Sequence, residues 1–409
     1  INIFSSLGLI PTKGMTLPFV SYGGSSMISI AILFGFLLSL TNKKKSIFMK
    51  KNFLLITGGT GGHVIPALNF ANYLISKNIN CTLIVDKRGY RYISNFSGKI
   101  HIINSSNLNG NFLKKIFGLF NLIHGFIKSF LLILYLKPTK VISFGSYASF
   151  FPMISCLLIK FFYKIEIFIH EQNSVVGRTN KFFLYFSNKI FLNFNIEENI
   201  EKKFKHKSYV VGTPENNSKN LIINKDKYLE KNFTILIYGG SQGSKFISKF
   251  AVNLIKIIKA EKIIKPKYII QCPKEMIEYI KNELQMIETN TVVKDFFFNI
   301  DEILQNTSIA ISRAGAGSIN DLIKYNISSI LIPLPTSKDN HQFHNASIIS
   351  KYNLGIIIDQ NQEELNKAKK YIYDVYKKSN NIESINEKFN KIKVKNSNSL
   401  IYNLIINGK

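Results

Sequence analysis

The chain has 409 residues, enough for two or three domains, and 46% of them are apolar, which excludes a generally disordered protein. The formal net charge of +28 suits a nucleic-acid partner, an anionic membrane surface, or a lysine- and asparagine-rich composition without functional meaning. Because the lysines are scattered rather than grouped, we predict no nucleic-acid partner. The three cysteines are far apart and form no C-x-x-C pair, which argues against a disulfide framework or zinc site and fits a reducing compartment.

An uncharged, apolar segment lies near the start of the chain. Residues 17–42 carry no charge, residues 27–40 are nearly all apolar, and three lysines follow at 43–45. A membrane span needs about 20 apolar residues, and lysines just beyond it favour the cytoplasmic side. A signal peptide is the alternative, but its basic residues would precede the apolar stretch. We therefore predict an N-terminal transmembrane helix within residues 1–48.

After Met49 the chain alternates short apolar runs with longer helical patterns, which is typical of α/β domains with parallel sheets. The predicted strands are 53–56, 81–86, 100–103, 140–144, 165–170, 189–194 and 208–212, then 233–238, 267–272, 291–294, 308–312, 329–333 and 355–359. We predict a membrane segment at 1–48, an N-terminal domain at 49–213, a linker at 214–232, a C-terminal domain at 233–375 and a helical tail at 376–409.

Two glycine-rich loops follow apolar strands and open helical patterns. The first has the sequence GGTGGH at residues 58–63, and the second has GGSQGS at 239–244. A strand, a glycine loop and a helix leave backbone N–H groups free at the helix N-terminus, where they bind phosphate. The two loops predict two doubly wound domains that face a cleft and bind a phosphate-bearing ligand.

Several polar residues stand where the predicted strands end. His63 closes the first loop and is a candidate general base, or a loop histidine that caps the helix. The sequence His170-Glu171-Gln172-Asn173 is either a functional group of side chains or a turn with an N-cap. Residues 312–321 combine a glycine loop with Asp321 and suit phosphate and ribose, unless they form a capping box.

The segment 112–136 is unusually apolar and carries three lysines, at 114, 115 and 128. Its helical spacing fits an interfacial helix pair at a membrane surface. Buried packing helices are the alternative, because the apolar residues occupy more than one face.

Ordered motifs over residues 49–409 resemble the MurG family, the UDP-N-acetylglucosamine transferases that act on the lipid-linked muramoyl pentapeptide. The motifs lie at residues 58–66, 170–173, 177–181, 239–243, 313–321, 339–342 and 345–346. The resemblance implies a GT-B fold, with two Rossmann-like domains and the donor held mainly by the C-terminal one. It also implies an inverting single displacement. No Asp-x-Asp pair stands in a matching loop, so we predict neither an essential metal nor a cofactor.

The resemblance assigns His63 as the candidate base and places a set of residues at the donor. The expected donor contacts are Thr60, Gly61, Gly62 and Asn173 for the sugar and diphosphate, Asn216, Ser241 and Gln242 for the diphosphate, Phe297 for the uracil edge, Ala316, Gly317, Ser318, Ile319, Asn320 and Asp321 for phosphate and ribose, and Gln342 for the sugar hydroxyls. Three positions depart from the family. Asn216 replaces an arginine, Asp321 replaces a glutamate, and the loop at 105–110 has no arginine.

Residues 8–26, GLIPTKGMTLPFVSYGGSS, resemble the C-terminal signature of the FtsW/RodA/SpoVE membrane family. The match covers only the last loop and helix of that family, so this segment cannot carry its polymerase activity alone.

The two resemblances together imply the partners of the chain. These are UDP-N-acetylglucosamine, the undecaprenyl-pyrophosphoryl muramoyl pentapeptide, an anionic membrane surface, and division and elongation membrane proteins. The implied location is the cytoplasmic side of the bacterial inner membrane. A UDP-sugar epimerase and a non-catalytic membrane scaffold of the division machinery are the alternatives.

Overall fold

A computed structural model describes most of the chain after Lys51. The described residues are 52–93, 95–104, 112–196, 200–216, 224–240, 243–360, 364–377 and 382–408. The predicted membrane segment at 1–48, the loop at 105–110, and Ser241 and Gln242 lie outside these residues.

The first sheet has seven parallel strands in the order β3-β2-β1-β4-β5-β6-β7. They are β1 (Phe53–Ile56), β2 (Cys81–Asp86), β3 (Lys99–Ile103), β4 (Lys140–Ser143), β5 (Glu166–Glu171), β6 (Lys189–Leu192) and β7 (Ser208–Val210). The helices of this half are α1 (Gly61–Ser76), α2 (Lys87–Tyr90), α3 (Phe112–Leu136), α4 (Phe150–Lys160) and α5 (Arg178–Phe183). All four residues of β1 are buried, as expected for a central strand that is covered on both faces.

The second sheet has six parallel strands in the order β10-β9-β8-β11-β12-β13. They are β8 (Thr234–Tyr238), β9 (Lys267–Gln271), β10 (Thr291–Lys294), β11 (Ile309–Ser312), β12 (Ser328–Leu331) and β13 (Gly355–Ile357). The helices are α6 (Lys245–Glu261), α7 (Ile277–Gln285), α8 (Ile300–Gln305), α9 (Ala316–Lys324), α10 (His341–Lys351), α11 (Leu365–Lys377), α12 (Ile382–Ile392) and α13 (Ser397–Ile406).

Both glycine loops lie where the strand order reverses. In the first sheet the reversal is between β1 and β4, and in the second it is between β8 and β11. Ligands of doubly wound sheets bind at this point, beyond the carboxyl ends of the strands. The two Rossmann-like domains therefore have the architecture that the glycine loops predict.

Two segments outside the sheets, the helix α13 and the predicted linker, pack into the cores of different domains. Ile401, Leu404 and Ile405 of α13 pack against Phe53 and Phe70, in the core between the first sheet and α1. Thus the last helix completes the N-terminal domain. Tyr228, within the predicted linker, packs instead into the core of the C-terminal domain.

The apolar segment at 112–136 forms one helix, α3, rather than a helix pair. One of its faces packs on α4, where the rings of Phe126 and Phe151 meet edge to face at 6.3 Å. Another face is exposed, so the packing interpretation describes only part of the helix, and the interfacial one stays a prediction. Among the described residues, no helix has the length and apolar character needed to cross a membrane.

Candidate active site

The first glycine loop is shaped by the last residue of β2. The Asp86 carboxylate accepts hydrogen bonds from the amides of Gly59 at 2.8 Å and Gly89 at 2.9 Å. Gly59 has φ +78°, and a Cβ on Gly58 would lie 2.6 Å from the Cβ of Ala148. Only glycine fits these two positions without strain. Since Asp86 occupies the Gly59 amide, that amide is not available to a ligand phosphate.

The rest of the loop opens α1 toward the cleft. Thr60 is the exposed N-cap residue, and its side chain makes no capping hydrogen bond. Gly61 and Gly62 are the first two helical residues, so their N–H groups have no acceptor within the helix. A Cβ on Gly62 would meet only the Thr60 hydroxyl, at 3.8 Å. A ligand can therefore approach this backbone closely.

His63 is the third residue of α1 and points to the ends of two neighbouring strands. Its Nδ1 lies 2.9 Å from the carbonyl oxygen of Phe144 and 2.8 Å from Oε1 of Gln172. The ring thus bonds across the sheet and not to the N-terminal amides of its own helix. The helix-capping interpretation of this histidine is wrong, and its other nitrogen, Nε2, is left for a different partner.

The four polar residues at 170–173 do not all follow the strand, because β5 includes His170 and Glu171, and the last three of them have two roles. The Glu171 carboxylate accepts from the amides of Asn173 and Gly177, at 3.0 and 2.9 Å, and from Nδ2 of Asn180 at 2.8 Å. This side chain builds the turn, as the simpler interpretation expected. Gln172 faces His63, and Asn173 faces the C-terminal domain.

Asparagine side chains join the two domains across the cleft. Asn345 on α10 donates from Nδ2 to Oδ1 of Asn173 at 3.2 Å and accepts from the amide of Ser174 at 2.8 Å. Asn193 donates to Oδ1 of Asn320 at 3.0 Å. The Asn320 amide also donates to the Thr213 hydroxyl, at 2.7 Å. The side chain of Asn320 is therefore engaged between the domains, whereas its backbone belongs to the predicted phosphate site.

The start of α9 is open to the cleft. Gly315 is the N-cap, without a side-chain bond, and the capping-box interpretation is therefore wrong. Ala316, Gly317 and Ser318 are the first three helical residues, whose amides lack intrahelical acceptors. A Cβ on Gly315 or Gly317 would meet no atom within 4 Å. Neither glycine is required by protein packing, which leaves space for a ligand against the backbone. Ile319, next in the helix, is buried in the core.

Asp321 is the sixth residue of α9 and lies in a cluster of charged groups. Its carboxylate is enclosed by protein, although the residue as a whole is half-buried. Burial raises the pKa of Asp321 to about 7, against the opposing effect of Lys324 and with smaller contributions from Asp301 and Glu215. Around neutral pH, Asp321 is therefore protonated in some molecules, where it can donate a hydrogen bond, and ionised in the others, where it can only accept.

The structure describes three of the remaining predicted donor residues, Gln342, Phe297 and Asn216. Gln342 on α10 accepts a hydrogen bond from the Leu334 amide at 2.9 Å through Oε1, so its Nε2 is not used in this contact. The Phe297 side chain is buried after β10, with Nζ of Lys294 5.7 Å from its ring centroid. Asn216 is exposed. Ser241 and Gln242 lie outside the described residues.

Three residues that organise the site were not singled out from the sequence. Asp86 and Asn193 stand at the ends of β2 and β6, and the rule that sites form at strand ends could have found them. The third, Arg313, was noted only as part of a motif. Its buried guanidinium donates to the carbonyl of Ile332 at 3.0 Å and to the Ser244 hydroxyl at 2.9 Å, fixing the second glycine loop. In the part of the chain that the structure describes, no group of three His, Cys, Asp or Glu side chains could hold a metal ion.

The chain is similar to curated transferases over almost their whole length. It is 30% identical over 360 residues to the UDP-N-acetylglucosamine–N-acetylmuramyl-(pentapeptide) pyrophosphoryl-undecaprenol N-acetylglucosamine transferase of Rickettsia bellii, covering 87% of this chain and 99% of that protein. The enzyme of the same name from Rickettsia canadensis is 32% identical with the same coverage. The chain belongs to this family of glycosyltransferases. It has the GT-B fold of the family.

Structure and domain profiles agree with this membership. The crystal structure of Acinetobacter baumannii MurG superimposes with a TM-score of 0.71 at 21% identity, covering 87% of this chain and 99% of that one. The glycosyltransferase family 28 N-terminal domain matches residues 53–192, and the C-terminal domain of that family matches residues 234–401. Residues 1–46 match a different family, the FtsW/RodA/SpoVE cell cycle proteins.

Proposed function

We propose that this glycosyltransferase moves N-acetylglucosamine from UDP-N-acetylglucosamine to the undecaprenyl-pyrophosphoryl muramoyl pentapeptide, an inverting step of peptidoglycan synthesis. The full-length similarity to transferases of that name supports the substrates. The observation that carries the chemistry is the placement of His63, which is held at Nδ1 by Phe144 and Gln172 beside the first glycine loop.

The reaction is a single displacement. The acceptor sugar hydroxyl forms a bond to the anomeric carbon while the bond from that carbon to the donor diphosphate breaks. Nε2 of His63 takes the hydroxyl proton, and UDP leaves with the electron pair of the broken bond. The free amides at the start of α9 stabilise the negative charge that develops on the diphosphate.

The donor is held mainly by the C-terminal domain in this proposal. The backbone at Phe297 contacts the uracil edge, residues 316–320 hold the phosphates, and Asp321 accepts from the ribose hydroxyls. Gln342 and Asn173 contact the sugar, with Thr60, Gly61 and Gly62 facing it from the N-terminal domain. Asn216 together with Ser241 and Gln242 completes the diphosphate site. The contact between Asn173 and Asn345 supports this arrangement, because Asn345 and Gln342 are on the same helix, α10, and the contact brings that helix to Asn173.

The acceptor is a lipid, and we propose that the N-terminal domain docks on an anionic bilayer through α3. Ile127, Leu131 and Tyr135 repeat at four-residue spacing, and their exposed fractions are 50%, 60% and 80%. Phe161, directly after α4, is 84% exposed, and Lys128 on α3 and Lys164 after α4 are also exposed. An apolar stripe with flanking lysines binds headgroups and acyl chains together. This arrangement supports a location at the cytoplasmic face of the inner membrane.

Product analysis tests the proposal. The protein is incubated with UDP-N-acetylglucosamine alone, and with this donor plus a muramoyl-pyrophosphoryl lipid in detergent. We expect release of UDP and a glycosylated lipid only when the lipid is present. Conversion of the donor to an isomer without the lipid would favour an epimerase, and no reaction in either mixture would favour a scaffold.

A further inference from the structure

A continuous chain of hydrogen bonds connects His63 to the backbone at the end of the first sheet. Nδ1 of His63 lies 2.8 Å from Oε1 of Gln172, whose Nε2 lies 3.2 Å from Nδ1 of His170. Nε2 of His170 lies 2.9 Å from the carbonyl oxygen of Gly212, just after β7. The His170 ring is also stacked on Phe144, with centroids 5.2 Å apart. Both histidine rings are therefore fixed in position.

The direction of each bond follows from the groups that can only accept. The Gly212 carbonyl is an acceptor, so Nε2 of His170 carries a proton. Burial lowers the pKa of His170 to about 4, so the ring has no second proton near neutral pH. Nδ1 of His170 must then accept, and the group that donates to it is the Gln172 amide nitrogen.

This assignment sets the orientation of the Gln172 side chain. Its nitrogen donates to Nδ1 and to the carbonyl oxygen of His170, the latter at 3.1 Å, and its oxygen must face His63. Nδ1 of His63 now meets two acceptors, Oε1 of Gln172 and the Phe144 carbonyl. It therefore carries the proton of the neutral ring, and the lone pair is on Nε2.

We propose that Gln172 and His170 are positioning residues that hold His63 in the Nδ1–H tautomer, with the lone pair of Nε2 facing the cleft. This inference rests on the proposed role of His63 as the base. The acceptors at Nδ1 are both neutral, and the one nearby carboxylate of this loop, Glu171, is bonded to Asn173, Gly177 and Asn180 instead. The Asp86 carboxylate is likewise engaged by Gly59 and Gly89. The His63 ring is thus oriented by two neutral acceptors.

The tautomer can be measured without any substrate. Long-range proton–nitrogen correlation spectra of protein labelled with 15N at histidine distinguish the two neutral forms, and the His63 signals are those lost in His63→Ala. We expect a protonated Nδ1 and an unprotonated Nε2 at pH 8. The opposite pattern would overturn the proposal. If His63→Ala keeps full activity, the base assignment fails, while the tautomer measurement still decides the orientation.

Two substitutions of Gln172 test the consequence for catalysis. Gln172→Met removes the acceptor and should lower kcat by about 10- to 100-fold with little change in the KM for UDP-N-acetylglucosamine. Gln172→Glu keeps the shape, replaces the amide nitrogen that donates to His170 by an oxygen, and adds a negative charge beside Nδ1–H of His63. It should move the acidic limb of the kcat/KM profile to higher pH by about one unit or more. Gln285 is exposed on the surface, so Gln285→Glu is the matched control and should leave the kcat/KM profile unchanged. Profiles of Gln172→Glu and the parent protein that coincide would contradict the proposal, since a purely structural glutamine would not move this limb.

Discussion

Asn345 and Ser174 belong to different domains, and Oδ1 of Asn345 accepts from both the amide and the hydroxyl of Ser174, at 2.8 and 2.9 Å. The same side chain donates to the Ala314 carbonyl at 3.0 Å, next to the start of α9. One buried amide group thus ties the loop after β5 to the predicted phosphate site.

Replacing this asparagine should weaken both the fold and the reaction. Asn345→Ala removes the side chain that accepts from Ser174 and donates to Asn173 and Ala314, and the loss of these buried hydrogen bonds costs about 1–3 kcal/mol in the free energy of unfolding. It also releases Asn173, so kcat/KM should fall. Urea denaturation and steady-state kinetics measure the two effects. The exposed neighbour His344→Ala serves as control, and equal stability of Asn345→Ala and the parent would contradict this account.

Removing the proposed base should act on turnover more than on donor binding. His63→Ala should lower kcat by about 10²–10⁴-fold, the usual contribution of a general base. Binding of UDP-N-acetylglucosamine, measured by calorimetry, should change little. His206→Ala, an exposed histidine at the end of a short helix, should behave like the parent. Unchanged turnover in His63→Ala would reject the role.

Donor affinity should depend on pH through Asp321. In the proposed donor site the carboxylate form of Asp321 accepts from ribose hydroxyls, and because burial raises the pKa of Asp321 to about 7, this form is lost as the pH falls. Affinity for UDP-N-acetylglucosamine should therefore be about tenfold weaker at pH 6 than at pH 8, because only about a tenth of the groups are then ionised. Calorimetry at the two pH values measures the ratio.

Asp321→Asn provides the control for this pH effect, since it cannot ionise and its affinity should be nearly independent of pH over the same range. Glu278→Gln removes an exposed carboxylate on α7 and should keep the dependence of the parent. If Asp321→Asn retains the full tenfold ratio, another group is responsible.

Membrane binding should depend on the exposed face of α3. Leu131→Ser combined with Tyr135→Ser removes two apolar side chains from this surface, and we expect at least a tenfold loss of binding to anionic vesicles in sedimentation. The paired control is Ile263→Ser with Met286→Ser, which removes comparable exposed side chains from the C-terminal domain. Equal losses in the two pairs would contradict docking through α3.

Residues 49–409 should be sufficient for catalysis, with residues 1–45 acting only as a tether. A chain that begins at Met49 should glycosylate a detergent-solubilised acceptor at the rate of the whole chain. In liposomes at low protein concentration it should be slower, because a tether raises the local concentration at the bilayer without changing the chemistry. A Met49 chain that folds and binds UDP yet transfers no sugar in detergent would show that the first segment takes part in the reaction.

The strands were predictable from sequence because central parallel strands are continuous apolar runs. Each of the thirteen strands among the described residues lies within two residues of its predicted bounds. Some predictions run too far, for example to Phe144 and Phe194, because buried apolar side chains continue past the last ladder pair. The glycine loops were predictable for a different reason, because few residues other than glycine fit there.

The contacts across the cleft were not predictable in the same way. Asn193 and Asn320 are 127 residues apart, and asparagines are common throughout this chain, so nothing in the local pattern distinguishes the paired ones. The orientation of Gln172 depends on the burial of His170 and on a carbonyl 42 residues away. Such groups are fixed by tertiary packing, which the periodicity of a sequence does not record.

The return of α13 to the N-terminal domain has a consequence for how the protein is made. Ribosomal synthesis proceeds from the N-terminus, and domains usually fold as they emerge. Here the apolar surface around Phe53 and Phe70 stays uncovered until Ile401 and Leu404 have been translated. Part of the core of the nascent N-terminal domain is therefore open to solvent and to chaperones while the whole C-terminal domain is synthesised.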